Sequence, residues 1–267
     1  MNLRRIYAVF LRQLFLLRHN WTRFSAIFVW ITIDILLWGF ITKYLNVISH
    51  SGFNFIPMLL GAILLWDFLV RVQQGIILAL LEDVWAQNFL NYFASPLTIG
   101  EYISGLILTS IVTTIVGFGF IIIIAGILFG YNIFSLGLYL ALFLFVLFIF
   151  GLALGILTSG IVLRLGPSAE WIAWPIPAII SPLAGIFYPL STLPHSLQFI
   201  AKCLPPAYVF EGMRQVLSLK ILSPSYLLAG VGLSIIYLLF AYIFFNYIYR
   251  VVIRTGRITR FSAESTS

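Results

Sequence analysis

The chain has 267 residues, of which 62% are hydrophobic and only 9% are charged. So few charged residues leave too little polar surface to cover a water-soluble globule, which indicates a membrane protein. The net charge of +7 does not indicate nucleic-acid binding, because arginines gather before the first apolar run and after the last, the pattern that orients membrane helices.

Six apolar runs are long enough to cross a bilayer, whose hydrocarbon core of roughly 30 Å takes about 20 helical residues. Both arginine-rich ends are expected in the cytoplasm, which requires an even number of crossings. The sequence therefore predicts an all-α polytopic membrane protein with six transmembrane helices in one domain (24–250), an N-terminal segment (1–23) and a short basic cytoplasmic tail (251–267). The predicted spans are 24–45, 55–81, 102–129, 135–163, 170–188 and 226–249.

Residues 3–18 have the pattern of an amphipathic helix. Apolar side chains between Leu3 and Leu17 fall on one helical face, and the arginines between Arg4 and Arg18 fall on another. This pattern predicts an interfacial helix on the cytoplasmic membrane surface. A plain anchor that binds anionic lipid explains the same pattern.

The loop 82–101 is too long for a tight turn and predicts a short cytoplasmic helix. Asp83 is a suitable N-cap, and the aromatic residues Trp85, Phe89 and Phe93 recur every four residues to form a ridge. An interfacial helix with its aromatics among lipid headgroups is the alternative. After Ser95-Pro96, Thr98 and Glu101 have the spacing of a capping box that begins the next membrane helix.

Three charged residues, Asp34, Asp67 and Arg71, fall inside predicted spans, where an ionised group costs at least about 2.5–3.5 kcal/mol unless it is paired or hydrated. Asp34 and Arg71 lie at equal depth from the cytoplasmic side, and Asp67 lies one helical turn from Arg71. We therefore predict an ion pair between Asp34 and Arg71 within a cluster of the three. A structural link between the first two spans and a role towards substrate or protons both fit this cluster.

Small residues and prolines mark the later spans. Pro175, Pro177 and Pro182 remove backbone hydrogen bonds from the predicted fifth span, which predicts a kinked or locally open helix. Such a helix suits a moving pathway, although prolines also occur in membrane helices without that role. The pair Gly151 and Gly155 predicts close helix packing within the chain.

The segment 189–225 is placed outside the cell by the predicted topology. Prolines at 189, 194, 205 and 206 divide it into two helices, each too short to span a bilayer. Glu211 and Arg214 are spaced to pair on the second helix. We predict an extracellular re-entrant helical hairpin, which must pack against protein or line a polar cavity.

The sequence contains no motif that indicates an enzyme. The motifs of zinc hydrolases and serine hydrolases are missing, so no catalytic residue and no metal site is predicted. No lysine follows a glycine in the manner of a phosphate-binding loop. The energy source therefore stays open at this point: a separate ATPase supplies it, transport runs down a gradient, or the chain transports nothing.

Several segments resemble the ABC-2 class of ATP-binding-cassette exporter permeases. Residues 81–89 with 95–97 resemble its cytoplasmic coupling segment, residues 181–189 with the following Leu193-Pro194 resemble its fifth-helix signature, and residues 204–214 resemble its outer re-entrant region. Many polysaccharide exporters of this class carry an arginine–aspartate pair before the fifth helix. Residues 163–170 of this chain lack that pair, which slightly favours the members of the class that export drugs or lipids.

The resemblance implies a permease in a bacterial or archaeal inner membrane that exports a drug-like molecule, a lipid or a lipid-linked glycan. It implies a dimer, expected to be a homodimer, with separate ATPase subunits that hold ATP and Mg²⁺, while this chain binds no cofactor. The alternative is a passive channel or membrane scaffold without an ATPase. The implied ATPase-coupling residues are Glu82, Asp83, Trp85, Asn88, Phe89 and Phe93, and those of the re-entrant region are Pro194, Pro205, Tyr208, Glu211 and Arg214.

Overall fold

The computed structural model of the chain describes residues 1–19, 21–48, 55–86, 91–92, 95–219 and 222–256. All regular elements among these residues are helices, which confirms the predicted all-α class. The α-helices are α1 (Leu3–His19), α2 (Trp21–Ile48), α3 (Phe55–Trp85), α4 (Ile99–Phe129), α5 (Leu138–Leu165), α6 (Glu170–Ala173), α7 (Ile176–Ile180), α8 (His195–Lys202), α9 (Pro205–Leu219) and α10 (Pro224–Arg254).

Five of these helices are long and apolar enough to cross a membrane. They are α3, α4, α5, α10 and the part of α2 from Phe28 to Ile48. Helix α3 has 31 residues and is therefore about 46 Å long. Since a hydrocarbon core is roughly 30 Å thick, part of α3 must project beyond it.

The predicted fifth span, 170–188, is not one continuous helix. This segment, which we call the broken segment, follows a short 3₁₀ turn at Pro167–Ala169 and consists of the four residues of α6, the five residues of α7, and turns up to Tyr188. Pro175 lies between α6 and α7, where its ring and missing N–H disfavour a continuous helix. Five long apolar helices are therefore found among the described residues where six spans were predicted, and the proline content that predicted a kinked or locally open helix accounts for the difference.

Helix α3 lies at the centre of the bundle and contacts α2, α4, α5 and α9. The approach of α5 depends on two glycines. A Cβ atom built at Gly151 would lie 2.8 Å from Cβ of Val72, and one built at Gly155 would lie 2.8 Å from Cδ1 of Ile76. The predicted use of this glycine pair in packing within the chain is confirmed.

Helix α1 packs against α4 and defines one end of the bundle, which we call the α1 end. Helix α3 finishes and α4 starts at this end. At the opposite end α9 lies beside the first turns of α3, with Met213 next to Gly61, and α8 contacts α9. The two short helices predicted in 189–225 are confirmed, with α9 burying Phe210 and Met213 against the core. Helix α10 continues to Arg254, past the predicted start of the tail.

Candidate functional site

A buried carboxylate organises the α1 end of the bundle. Asp83, in the last turn of α3, is fully buried and forms an ion pair with Arg12 of α1. Its Oδ2 accepts hydrogen bonds from Nε2 of Gln13 at 2.9 Å and from the hydroxyl of Tyr102 at 2.8 Å. Since Tyr102 lies in the first turns of α4, Asp83 joins α1, α3 and α4 at one point.

Arg12 also contacts Tyr92, in the segment that connects α3 to α4. Its Nη1 donates to the Tyr92 hydroxyl at 2.5 Å, and its guanidinium carbon lies 5.2 Å from the ring centre. Burial lowers the pKa of Arg12, but the hydrogen bond and charge of Asp83 raise it, and the pKa is raised overall. Burial raises the pKa of Tyr92 to about 12, so its phenol is neutral near pH 7.

The start of α4 is tied to the N-terminus of the chain. Thr98 and Glu101 form the predicted capping box, which is confirmed. Glu101 also accepts a hydrogen bond from the backbone N–H of Asn2 at 2.6 Å and lies 3.5 Å from Nη1 of Arg5. A Cβ atom built at Gly105 would lie 2.6 Å from Cγ1 of Val9, so this glycine permits the close approach of α1 to α4.

These contacts correct the prediction for the coupling segment. Asp83 is not the N-cap of a separate helix, because α3 continues through it to Trp85. Glu82 and Asp83 are buried within the chain, whereas Trp85 is 41% exposed. Asn88, Phe89 and Phe93 lie outside the described residues.

Trp85 links the end of α3 to the broken segment. Its Nε1 donates a hydrogen bond to Oε2 of Glu170, the first residue of α6, at 3.0 Å. Further along, Nε2 of Gln73 donates to the carbonyl oxygen of Ala173 at 3.4 Å. Gln73 lies 12 residues before Trp85 in α3, about 18 Å along the axis. The broken segment therefore follows α3 from the α1 end into the bundle.

Two of the three predicted intramembrane charges form a tight ion pair. Nε and Nη2 of Arg71 donate to the two carboxylate oxygens of Asp67 at 2.5 and 3.0 Å, one helical turn apart on α3. A Cβ atom built at Gly117 would lie 3.1 Å from the Arg71 side chain, so α4 leaves the space that Arg71 occupies. Arg71 also lines a cavity of about 60 Å³ between α1, α3 and α4, together with Gln13, Gln74, Glu82, Thr109 and Thr113.

Asp34 does not pair with Arg71 as predicted. Among the described residues the ion pairs are Arg5–Glu101, Arg12–Asp83, Asp67–Arg71 and Glu211–Arg214. Asp34 lies within electrostatic range of Asp67 and Arg71, but its side chain is on the exposed side of α2. The i, i+4 geometry within α3 gives Arg71 a nearer carboxylate than any on α2.

At the opposite end, Arg214 of α9 holds the last turn of the broken segment. Its Nη2 donates to the carbonyl oxygen of Gly185 at 2.7 Å and to Oε1 of Glu211 at 3.1 Å. Glu211 in turn accepts from the backbone N–H of Leu190 at 2.7 Å. Gly185 has a φ of +65°, which glycine adopts without strain. The predicted pairing of Glu211 with Arg214 is present, and the two side chains together bind the backbone of this turn.

The other residues of the predicted re-entrant region occupy helix boundaries. Pro194 is the residue before α8 and Pro205 is the first residue of α9. The hydroxyl of Tyr208 donates to the carbonyl oxygen of Lys202 at 2.8 Å, across the turn between these helices. These residues shape the two short helices and their connection.

Sequence reasoning did not identify Arg12, Gln13, Tyr92 or Tyr102 as members of one cluster. Arg12 was interpreted only as part of a basic helix face. Arg12 and Asp83 are 71 positions apart, so no local spacing relates them. The available signal was the acidic pair Glu82-Asp83 at the end of an apolar run, which requires partners if it is buried.

The fold and these contacts define a multi-pass helical membrane protein in which α1 is fixed to the ends of α3 and α4. Residues 5–218 match the ABC-2 type transporter family, and the chain belongs to this family. It is accordingly a transmembrane permease subunit of an ABC transporter, not its ATPase, and such subunits normally partner an ABC ATPase. A search of curated proteins gives no significant match.

Proposed function

We propose that the chain is the membrane subunit of an exporter that moves an amphipathic molecule outward, driven by ATP hydrolysis on a separate nucleotide-binding subunit. The match to the ABC-2 type transporter family over residues 5–218 carries this proposal. The substrate is a drug-like molecule, a lipid or a lipid-linked glycan. ATP and Mg²⁺ belong to the ATPase, and this chain binds no cofactor itself.

The proposed arrangement is a homodimer in a bacterial or archaeal inner membrane, surrounded by lipid, with both termini in the cytoplasm. The α1 end of the bundle is then the cytoplasmic end. The arginines of α1 and the basic residues at the end of α10 support this orientation. The broken segment 170–188 serves as the fifth of six crossings and runs outward, and α10 is the sixth crossing, which returns the C-terminus to the cytoplasmic side.

Coupling to the ATPase is proposed to occur at Trp85 and the segment that follows it. Among the described members of the predicted coupling group, Trp85 is exposed and Glu82 and Asp83 are buried. Asp83 and its partners form the support beneath Trp85. The hydrogen bond from Trp85 to Glu170 supports a direct route from this surface to the broken segment. A push on the end of α3 would then reach the proline-rich part of the pathway.

The coupling proposal is tested by co-purification and transport. Trp85→Ala combined with Phe89→Ala is expected to leave the chain inserted and folded but to weaken ATPase binding by at least roughly 2 kcal/mol, because aromatic anchors dominate many interfaces. The matched control is Phe134→Ala combined with Phe199→Ala, two aromatic residues at the opposite end that are 64% and 73% exposed. This control should bind the ATPase as the native chain does.

Two results would contradict the proposal. A Trp85 and Phe89 double variant that binds the ATPase and exports normally would remove the coupling role. A native chain that binds no ATPase and conducts solute without nucleotide would be a passive channel.

A further inference from the structure

Helix α2 carries a carboxylate in the middle of an exposed apolar face. Asp34 lies 13 residues from Trp21 and 14 residues from Ile48, about 20 Å from either end of the helix. Its side chain is exposed, as are those of Trp30, at 66%, and Phe40, at 60%. An acidic side chain at this depth is unfavourable against lipid and indicates a polar or charged occupant.

The negative charge of Asp34 is not balanced within the described part of the chain. Arg71 is the cation with an electrostatic effect on Asp34, but its Nε and Nη2 both donate to the carboxylate of Asp67. The group of Asp34, Asp67 and Arg71 therefore keeps one net negative charge when all three are ionised. Charge complementarity favours a cation at Asp34.

A second copy of this chain does not supply that cation. In a symmetric dimer the partner presents the same residues, and its own Arg71 is bound to Asp67. The other described basic residues lie in α1, in the short helices, or near the ends of long helices. Lys43 is nine residues beyond Asp34 in α2, about 14 Å away along the axis.

Aromatic rings flank the carboxylate on the same helical face. Trp30 and Trp38 lie one turn before and one turn after Asp34. Trp38 stacks on Phe187 of the broken segment, with ring centres 4.3 Å apart and planes inclined by 15°. The faces of tryptophan rings attract cations and also bind flat or bulky apolar groups.

We propose that Asp34, Trp30 and Trp38 form a binding site for an amphipathic organic cation, an ammonium-like or phosphonium-like charge on an apolar body. This inference rests on the proposed export function and narrows the class of its substrate. The carboxylate neutralises the charge, while the indole rings and the apolar face of α2 hold the body. Neutral lipids and anionic glycolipids do not fit this site.

The test measures binding to the purified full-length chain in nanodiscs of neutral phosphatidylcholine. Radiolabelled tetraphenylphosphonium is the probe, tetraphenylborate is the anion of similar size, and empty nanodiscs give the background. The native chain should bind the cation in preference to the anion. Asp34→Asn should lower the affinity for tetraphenylphosphonium at least about tenfold and Asp34→Glu less than about threefold, because only the latter keeps the charge.

Matched variants keep the test independent of folding defects. Glu264→Gln changes an acid in the tail that follows α10, outside the site and the coupling route, and should leave binding unchanged. Trp30→Ala should weaken tetraphenylphosphonium binding, whereas Val29→Ala, at the neighbouring position with 53% exposure, should not. If Asp34→Asn does not insert into the membrane, the comparison of Trp30→Ala with Val29→Ala tests the proposed site instead.

Equal binding of the cation by the native chain and Asp34→Asn, or no preference over tetraphenylborate, would overturn the proposal and leave Asp34 as a neutral structural group. Equal effects of Trp30→Ala and Val29→Ala would also overturn it. The assay needs no ATPase, so failure to co-purify an ATPase would contradict the export function without affecting this result.

Discussion

The indole N–H of Trp85 donates a hydrogen bond to Oε2 of Glu170 at 3.0 Å, and thereby joins the last residue of α3 to the first residue of α6. The two residues are 85 positions apart. Helix α3 is a long continuous element, whereas α6 begins a segment divided by prolines. Under the proposed coupling, a displacement at the end of α3 would be transmitted through this bond to the segment divided by prolines.

Trp85→Phe is expected to reduce ATP-driven transport while the ATPase still binds. Phenylalanine keeps the aromatic contact but lacks the N–H that binds Glu170. Loss of one hydrogen bond of about 1 kcal/mol corresponds to roughly a fivefold effect. Transport and ATPase activity in proteoliposomes measure the two steps separately.

Glu170→Gln is the control for this bond, because its side-chain carbonyl still accepts from Trp85. We expect it to retain transport within about twofold, since an acceptor remains in place. If Trp85→Phe transports at the native rate, the bond does not contribute to coupling.

Arg12→Ala is expected to destabilise the protein by about 3–5 kcal/mol, because it leaves the buried carboxylate of Asp83 without its charged partner. Thermal or denaturant unfolding of the detergent-solubilised chain measures the change. Asp83→Asn in the Arg12→Ala background should recover part of the loss, since it removes the unpaired charge. The hypothesis of a coupled pair would be wrong if the two substitutions destabilise additively.

Arg71 is expected to couple with Asp67 more strongly than with Asp34. Double-mutant cycles that combine Arg71→Gln with Asp67→Asn should give an interaction of about 1–3 kcal/mol in the free energy of unfolding, as for residues in direct contact. The cycle with Asp34→Asn should give less than about 0.5 kcal/mol, because no ion pair joins these two residues. A larger coupling in the Asp34 cycle would contradict the contacts found in the structure.

Cys203 is expected to react with a membrane-impermeant thiol reagent added outside intact cells. It is exposed in the turn between α8 and α9, which the proposed topology places outside. Asn88→Cys in a Cys203→Ser background should react only after the cytoplasmic side is opened. Reaction of both positions from the same side would exclude the proposed orientation.

The sequence was sufficient to predict the helical class, the five long helices to within a few residues at most ends, and the capping box at Thr98 and Glu101. These features depend on local hydrophobicity and on spacings of three or four residues. The resemblance carried by residues 81–97, 181–194 and 204–214 was confirmed by the family match. The error at Asp83 has a local cause, because an aspartate after an apolar run suits an N-cap as well as a buried partner.

Composition and local sequence patterns thus determined that this chain lies in a membrane and where its long helices lie. They also determined where prolines interrupt a helix, in the segment 170–188. Tertiary structure alone decided which charged groups pair between different helices. Arg71 binds Asp67 rather than Asp34, and Arg12 reaches Asp83 across 71 positions, because side-chain contacts depend on how helices pack and rotate against one another. Hydrophobicity fixes which segments avoid water, but many packings satisfy that condition equally, and only the folded bundle selects one set of charge pairs.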